Sequence, residues 1–531
     1  MRRRFPVPRD LASLRRAALS PAGVAVVLAL LYLILNLWWV SVDQRVPNGD
    51  SGKHLNTSLG YLERFEDGQR IAWFWLWTEY PPLVHLVGML GAALSSGDRI
   101  IGALFAQNLI FFPLLALGLY GTGKIVAGRW AGVLALVFGL AAPMVMSLFH
   151  VFMLDAPATA LVAMSVWLML LSERFTRRVP TLLAGVAVAA GFYVKPTFVL
   201  FIAGFVLVIL LRGAWRNRLN LVLFAGTVFV IAAPWYLYHR DKLASQTEGA
   251  ANAQQVMWYG NVPYPDRWSL DNFTWYGWNL VNNQLYLPLT LFFVVGAACA
   301  VWWVARRRAE AGVLPELLAG CVAGWFLVSL ISLDDPRYSL PLLVYIAVLA
   351  TWWIVRIPPR TAGLALAAVL VFFAGLNTIK QNFDYGVPFK EISFEPTDGN
   401  PIRAGQLTLW ATRGYIEGSP DETGPRDEIV DLLRRAQEDG AEQVVFDPAS
   451  LNNGGFNLFA LAVMGRAGGL EVPGFDPAIL EPNDIFVFRA QPRDLKGRPA
   501  FCLPSPLGDG TGFFMYKGVP TKASKPYCPP K

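Results

Sequence analysis

The sequence predicts an α-helical polytopic membrane protein with about eleven transmembrane helices, followed by a small extracytoplasmic α/β domain. Hydrophobic residues make up 54% of the 531 residues and charged residues only 16%. The mean hydropathy of +0.41 lies well above that of soluble domains. Apolar segments of spanning length recur up to residue 379, and the hydropathy falls from about Lys380 onward. These observations predict a membrane core over residues 1–379 and a separate domain over 380–531.

The apolar segments that are long enough to cross a bilayer define this membrane core. They lie at about 22–41, 99–120, 130–149, 152–172, 180–194, 196–211, 219–239, 284–304, 313–333, 338–356 and 361–379. The segments 180–194 and 196–211 are short and form a tight pair. Residues 81–96 are also apolar, but the run is short. It predicts an interfacial or re-entrant helix in the first outer loop, 42–98, and no further span.

The distribution of basic residues orients the core in the membrane. With the N-terminus in the cytoplasm, 19 Lys and Arg residues fall in inner segments and 10 in outer ones. Cytoplasmic loops carry the excess of positive charge in membrane proteins. The sequence therefore predicts an uncleaved first span, a cytoplasmic N-terminus and an extracytoplasmic C-terminal domain. The same clusters account for the net charge of +7, so this charge indicates topology and no nucleic-acid partner.

Asp50 and His54 follow the first span, in a stretch where Leu55, Leu59 and Leu62 have helical spacing. This spacing predicts an amphipathic helix on the outer surface. Asp50 could cap the start of that helix, since Asp is favoured there, or serve as an acid or base at the membrane boundary. His54 comes one turn later and could pair with Asp50 for proton transfer, or be a plain interface histidine.

Two further acids lie at the outer boundary of predicted helices. Glu79 precedes Tyr80-Pro81-Pro82-Leu83, where the paired prolines predict the end of one segment and the start of a helix. Glu79 could also be a solvated loop acid. Asp155 begins the span 152–172, with Pro157 in its first turn, and a helix dipole stabilises an acid at this position. Alternatively, Asp155 could bind a divalent cation or orient a second substrate.

Two basic residues lie on the same predicted side. Lys195 lies where two short apolar segments meet, and Pro196 enforces the turn. It could extend its ammonium group to the interface, or provide a point charge for a phosphate. Arg337 and Tyr338 lie in an outer turn that enters the span 338–356, and Arg337 could pair locally with Asp334 or Asp335. Two cations on one face suit a pyrophosphate or a phosphodiester better than either alone.

The predicted C-terminal domain alternates helical and strand patterns. Residues 425–440 and 456–464 have helical spacing, whereas 443–447 and 484–488 read as buried strands, which together indicate a small α/β fold. Cys299 and Cys321 fall inside spans. Cys502 and Cys528 lie in the outer tail, where oxidising conditions allow the disulfide that we predict between them.

Taken together and in order, these motifs resemble those of the polytopic glycosyltransferases that use lipid-phosphate sugars and share the GT-C fold. Two branches look similar: the bacterial dolichyl-phosphate-mannose-protein mannosyltransferase-like proteins and the aminoarabinose transferases of lipid A. The resemblance covers residues 22 to 379. It comprises an acid in the first outer loop, a Pro-Pro-Leu helix start, a Leu-Asp-Ala-Pro span start, a Lys between two short spans and an Arg-Tyr-x-x-Pro span start.

The resemblance implies a role for each matching residue. Asp50 would be the general base, and the donor phosphate would be held by Lys195, Arg337 and Tyr338. Asp155, His54 and Glu79 would orient the acceptor or a divalent metal, the one cofactor to consider. This chain also departs from the family pattern. Ser51 stands where the family often has Glu, which weakens a metal role, and Tyr80 stands where it often has the Lys that contacts phosphate.

The activity implied by the resemblance is transfer of a sugar from a polyprenyl phosphate, with inversion, to a lipid, glycan or protein acceptor. It would take place at the outer face of a bacterial cytoplasmic membrane. Fixed cations stabilise the lipid phosphate that leaves, and a carboxylate takes the acceptor proton. The alternative is a flippase or transporter of lipid-linked sugars. Transporters often show internal repeats and midplane charges, whereas here the charges lie at one boundary.

Overall fold

The computed structural model describes most of the predicted membrane core and parts of the C-terminal region. The described residues are 19–47, 49–70, 80–241, 243, 265–331, 335–383, 391–393, 405–409, 420, 426–438, 444–446, 458–470, 485–490, 503–504 and 512–517. The predicted site residue Glu79 and the predicted Cys502–Cys528 disulfide lie outside these ranges.

Helices dominate the region up to residue 383. In chain order they are α1 (Pro21–Val42), α2 (Gly49–Glu66), α3 (Leu83–Leu94), α4 (Arg99–Ala127), α5 (Arg129–Leu140), α6 (Pro143–His150), α7 (Asp155–Leu171), α8 (Arg178–Phe192), α9 (Phe198–Leu211), α10 (Arg218–Tyr238), α11 (Leu270–Asn279), α12 (Tyr286–Arg306), α13 (Leu314–Ser329), α14 (Leu343–Thr351) and α15 (Arg360–Phe383). A π-helical turn, Leu280–Gln284, joins α11 to α12, and short 3₁₀ turns flank α14 at Leu340–Leu342 and Ile354–Arg356.

Each of the eleven predicted spans coincides with an apolar helix or, for 130–149, with the pair α5 and α6, which bend by 59° at their junction. Within the described residues, five helices are long and apolar enough to cross a membrane, namely α1, α4, α10, α12 and α15. The bent pair raises this number to six if it forms one span. The protein is therefore a multi-pass membrane protein, and the count of eleven spans stays a prediction.

Two of the shorter apolar helices, α7 and α14, lie deep in the bundle, which explains their composition. All nine residues of α14 are buried, and this helix is apolar on every side, as expected for a segment surrounded by other helices. Small residues allow close helix contacts. A Cβ added at Gly91 of α3 would lie 2.2 Å from the carbonyl oxygen of Gly102 in α4. The short helix α3 is thereby held directly against the long helix α4.

The amphipathic helix α2 and the short helix α3 form a layer at one end of the bundle. The leucines at helical spacing, Leu55, Leu59 and Leu62, are all buried, as their pattern predicts. Ser51 at the start of α2 accepts a hydrogen bond on its Oγ from the backbone N–H of Phe152, at 3.3 Å. This contact joins the start of α2 to the link between α6 and α7.

Described parts of the C-terminal region include both predicted helices and both predicted strands. The helices are α16 (Arg426–Glu438) and α17 (Leu458–Ala467), and the strands are β1 (Glu391–Ser393), β2 (Gln406–Thr408), β3 (Val444–Phe446), β4 (Ile485–Ala490), β5 (Leu503–Pro504) and β6 (Gly512–Lys517). Strands β1 and β2 pair antiparallel, and the other four form a sheet in the order β3-β4-β6-β5. Strand β3 runs parallel to β4, with Val445 opposite Phe486. Whether 380–531 is an independent α/β domain stays a prediction.

Ion pairs connect this C-terminal region to the layer that contains α2 and to the start of α4. Arg466 of α17 pairs with Glu63 of α2. Arg426 at the start of α16 pairs with Asp98, at 3.2 Å, and its backbone N–H donates to the carbonyl oxygen of Gln44. The C-terminal helices therefore lie at the same end of the bundle as α2.

Candidate active site

Asp50 lies in the first turn of α2 because the chain changes direction at Gly49. Gly49 has a φ of +55°, a left-handed conformation that favours glycine, and the helix starts at this residue. Asp50 is thus the second helical residue, where the helix dipole favours an acid. Its carboxylate forms an ion pair with the guanidinium of Arg337. The side chain therefore contacts a distant cation, in contrast to the alternative of a simple helix cap.

Asp155 and Lys195 form the second ion pair of the site. Asp155 is the first residue of α7, as its flanking sequence predicts, and Lys195 lies in the five-residue link between α8 and α9. The ammonium Nζ of Lys195 is 2.7 Å from Oδ1 of Asp155. The pair is largely removed from solvent, with side-chain exposures of 17% for Lys195 and 5% for Asp155.

Arg337 connects the two acids. Its Nε lies 3.9 Å from Oδ2 of Asp155, and its guanidinium contacts Asp50. Asp335 fixes the position of Arg337 by accepting from its backbone N–H at 3.0 Å and by lying 3.1 Å from its Nε. Burial raises the pKa of the Asp335 carboxyl, and the charge of Arg337 opposes that shift. The structure thus links four predicted site residues in one continuous chain of ion pairs: Asp50, Arg337, Asp155 and Lys195.

The three acids in this series of ion pairs differ in how far their side chains are exposed to solvent. The side chain of Asp50 is 43% exposed, whereas those of Asp155 and Asp335 are 5% and 12% exposed. Asp50 is therefore the carboxylate that a substrate can reach from solvent. Asp155 and Asp335 are placed to hold the cations.

Tyr338 lies beside both cations. The Nζ of Lys195 is 4.3 Å from the centre of its ring, and the guanidinium carbon of Arg337 is 5.7 Å from it. Cations are attracted to the face of an aromatic ring, so Tyr338 helps to hold the Lys195 side chain. The phenol of Tyr338 is protonated at neutral pH and can donate a hydrogen bond.

His54 follows Asp50 by one turn of α2, as predicted, but its polar contact is to another histidine. Its Nδ1 is 3.1 Å from Nε2 of His85 in α3, and its ring lies edge-on to that of Tyr80 at 5.0 Å. Burial holds the pKa of His54 well below its usual range, and the charges of His85, Arg337, Lys195 and Lys53 act in the same direction. His54 is neutral at pH 7 and joins α2 to α3.

Two amides that the sequence analysis missed hold the turn that carries Arg337. Asn279 donates from Nδ2 to the carbonyl oxygen of Pro336 at 2.7 Å, and Gln284 donates from Nε2 to the same oxygen at 2.9 Å. Gln284 also donates to Oγ of Ser339 at 2.9 Å. The run Asn282-Asn283-Gln284 before an apolar span was a possible signal, because amides at a membrane boundary need partners.

The described carboxylates of this site are paired with cations. Asp50, Asp155 and Asp335 are each engaged by Arg337 or Lys195. Among the described residues, no group of three or more His, Cys, Asp or Glu side chains could hold a metal ion. A role for a divalent cation stays a prediction, and no step of the proposed reaction depends on one.

Comparison with known proteins supports the resemblance predicted from the motifs. The family model described as dolichyl-phosphate-mannose-protein mannosyltransferase matches residues 79–238, which include Asp155 and Lys195. No curated protein matches the sequence. The apo crystal structure of ArnT from Cupriavidus metallidurans is 15% identical, with a TM-score of 0.58 over 96% of this chain and 100% of that one.

The same ArnT bound to undecaprenyl phosphate is 16% identical, with a TM-score of 0.59, and the match covers 96% of this chain and 99% of that one. The apo oligosaccharyltransferase of Archaeoglobus fulgidus is 14% identical, with a TM-score of 0.47 over 87% of this chain and 65% of that one. At these identities the likeness to ArnT concerns the fold. The GT-C fold predicted from the sequence motifs is thus confirmed.

Proposed function

We propose that this GT-C protein is an integral-membrane glycosyltransferase that moves a sugar from a polyprenyl phosphate to a hydroxyl group of an acceptor. The acceptor would be a lipid, a glycan or a protein at the outer face of a bacterial cytoplasmic membrane. The observation that carries the proposal is the chain of Asp50, Arg337, Asp155 and Lys195 at the ends of membrane helices. Charges at a membrane boundary are costly and mark functional sites.

Lys195 and Arg337 would bind the donor phosphate. The prenyl tail of the donor stays among lipids, whereas its anionic head needs cations at the surface. When the bond between the anomeric carbon and the phosphate oxygen breaks, both bonding electrons stay with the phosphate, and negative charge grows there. Two fixed cations stabilise that charge. Their buried partners, Asp155 and Asp335, keep them in place before the donor arrives.

Asp50 would take the proton from the hydroxyl group of the acceptor. The acceptor oxygen attacks the anomeric carbon from the side opposite the phosphate, so the configuration inverts, and its proton passes to the carboxylate. The departing lipid phosphate needs no proton, so one base suffices. Because Asp50 contacts Arg337 in the structure, a donor phosphate that binds Arg337 would compete with that contact and release Asp50 toward the acceptor.

The experiment uses purified protein in lipid nanodiscs with undecaprenyl-phosphate sugars and candidate acceptors. Sugar transfer with stoichiometric release of undecaprenyl phosphate is expected. In cells that lack the gene, mass spectrometry should show accumulated lipid-linked sugar and a surface glycan or lipid that lacks one sugar. Movement of intact lipid-linked sugar across the bilayer, without release of undecaprenyl phosphate, would overturn the proposal in favour of a transporter.

A further inference from the structure

Lys53 lies on α2 three residues after Asp50. Residues three apart are neighbours on a helix surface, so Lys53 and Asp50 lie on adjacent parts of the same face. The Nζ of Lys53 is 5.0 Å from the centre of the Tyr80 ring. Tyr80 directly precedes Pro81 and Pro82 at the start of α3. The ammonium of Lys53 is therefore located where α2 meets the residues that begin α3.

A hydrogen bond connects the start of α3 to the link between α8 and α9, which contains Lys195. The backbone N–H of Leu83 donates to the carbonyl oxygen of Tyr193 at 3.1 Å, two residues before Lys195. His54 lies beside Tyr80, with its ring edge-on at 5.0 Å, and the charges of Lys53, Lys195 and Arg337 all lower its pKa. The ammonium groups of Lys53 and Lys195 are supported in the same way, because each lies over a tyrosine ring.

The charge balance of the site calls for a third cation. Arg337 and Lys195 face three acids, Asp50, Asp155 and Asp335. These carboxylates offset part of the attraction that Lys195 and Arg337 exert on an anionic phosphate, so a further cation nearby would strengthen donor binding. Lys53 on α2, three residues after Asp50, is placed to supply that charge.

We propose that Lys53 binds the phosphate of the polyprenyl-phosphate donor together with Lys195 and Arg337. This inference rests on the proposed function and assigns a specific contact within it. Lys53 supplies this cation from α2. Its ammonium group lies beside Tyr80, the residue that precedes the paired prolines. Tyr80 then serves as the aromatic support on which the Lys53 ammonium rests.

The test measures binding of undecaprenyl phosphate to purified full-length protein in nanodiscs. Lys53→Gln should weaken binding about tenfold, as expected for loss of one charge-assisted contact, whereas Lys53→Arg should bind almost as well as the wild type. In Lys53→Gln/Tyr80→Lys, the cation returns from the neighbouring position, and binding should recover. Arg64→Gln is the matched control, about 16 Å away along the same helix at 1.5 Å per residue, and should bind normally.

A second measurement uses the wild type alone and does not depend on the folding of a variant. Acetylation of Lys53 by a water-soluble reagent, followed by mass spectrometry, should slow when undecaprenyl phosphate is added, whereas acetylation of Lys124 should not change. Unchanged binding in Lys53→Gln together with unprotected Lys53, in protein that binds undecaprenyl phosphate, would overturn this inference alone. Failure of the wild type to bind undecaprenyl phosphate would overturn the proposed function as well.

Discussion

The carboxylate of Asp50 and the guanidinium of Arg337 form an ion pair across 287 residues of sequence. The pair joins α2 to the turn before the buried helix α14. It also joins the proposed base to a residue proposed to bind phosphate, so the donor phosphate and Asp50 would compete for the guanidinium of Arg337. Binding of the donor and activation of the base would therefore be linked at a single contact.

Asp50→Asn should separate catalysis from donor binding. Asparagine has nearly the same shape but cannot accept the acceptor proton, so turnover should fall about 100-fold or more. Binding of undecaprenyl phosphate should be no weaker, because Arg337 loses a competing carboxylate. Both are measured on purified protein, with Glu66→Gln on the same helix as the control. Full turnover in well-folded Asp50→Asn protein would show that Asp50 is not the base and has a structural role.

Removing Lys195 should reduce both donor affinity and turnover, and should also destabilise the protein. Lys195→Met leaves the carboxylate of Asp155 buried with one cation fewer, and breaking a buried pair in this way costs about 3–5 kcal/mol. Thermal unfolding should therefore occur at lower temperature. In Lys195→Met/Asp155→Asn the unfolding temperature should recover in part, while the activity stays lost. Equal stability of the single and double variants would contradict the pairing.

Asn279 should act on donor affinity through the turn that carries Arg337. Asn279→Leu removes a hydrogen bond to the carbonyl oxygen of Pro336, so we expect binding of undecaprenyl phosphate to weaken several-fold. Asn272→Leu is the matched control, because the buried Asn272 likewise donates from Nδ2 to a distant backbone carbonyl, that of Ser329, and to that of Arg267, outside the site. The two variants should lose similar stability, with affinity reduced only in Asn279→Leu. Equal affinities would contradict a positioning role.

Protein stability should fall in mild acid because His54 is buried in its neutral form. Its folded pKa is lowered, so its contribution to stability is complete above the pKa of the unfolded chain, about 6.5, and declines as the pH falls below that value. Unfolding temperatures measured in detergent between pH 7.5 and 5 should follow this trend. His54→Gln should show a smaller decrease over the same range, whereas an identical decrease would show that His54 makes no contribution.

The C-terminal region should lie outside the cytoplasm. It contacts α2 at the end of the bundle that carries the proposed site, and the charge distribution of the sequence puts that end outside. Fusions of alkaline phosphatase after residue 400 should therefore be active and fusions of a cytoplasmic reporter inactive. The opposite result would invert the proposed orientation. As a control, fusions in the loop near Arg307 should give inactive alkaline phosphatase and an active cytoplasmic reporter.

The sequence was sufficient to locate the main charged residues of the site. Asp155 and Lys195 stand out because each interrupts or begins an apolar segment beside a proline, so their positions at a helix start and in an interhelical link follow from local patterns. Arg337 was identifiable for the same reason. Which acid contacts which base was not predictable, since Asp50 and Arg337 meet only through the tertiary fold. His54 was matched with Asp50 by helical spacing, although its partner is His85 in another helix.

Other features escaped prediction because their signals are not local. Asn279 and Gln284 act on a turn more than 50 residues away, and no periodicity reports such a contact. Hydropathy also treats residues 130–149 as one uniform segment, whereas the structure bends between α5 and α6. A window average detects apolar composition and is insensitive to a change in helix direction.

The long sequence separation of Asp50 and Arg337 has a consequence for biosynthesis. A nascent chain that has entered the membrane up to residue 300 already contains Asp50, Asp155 and Lys195, but its Arg337 has not yet been made. The proposed phosphate site is then incomplete, and Glu63 of α2 still lacks its partner, Arg466. A chain truncated before Arg337 would thus lack a competent site, so the proposed activity requires synthesis to continue well beyond the halfway point of the sequence.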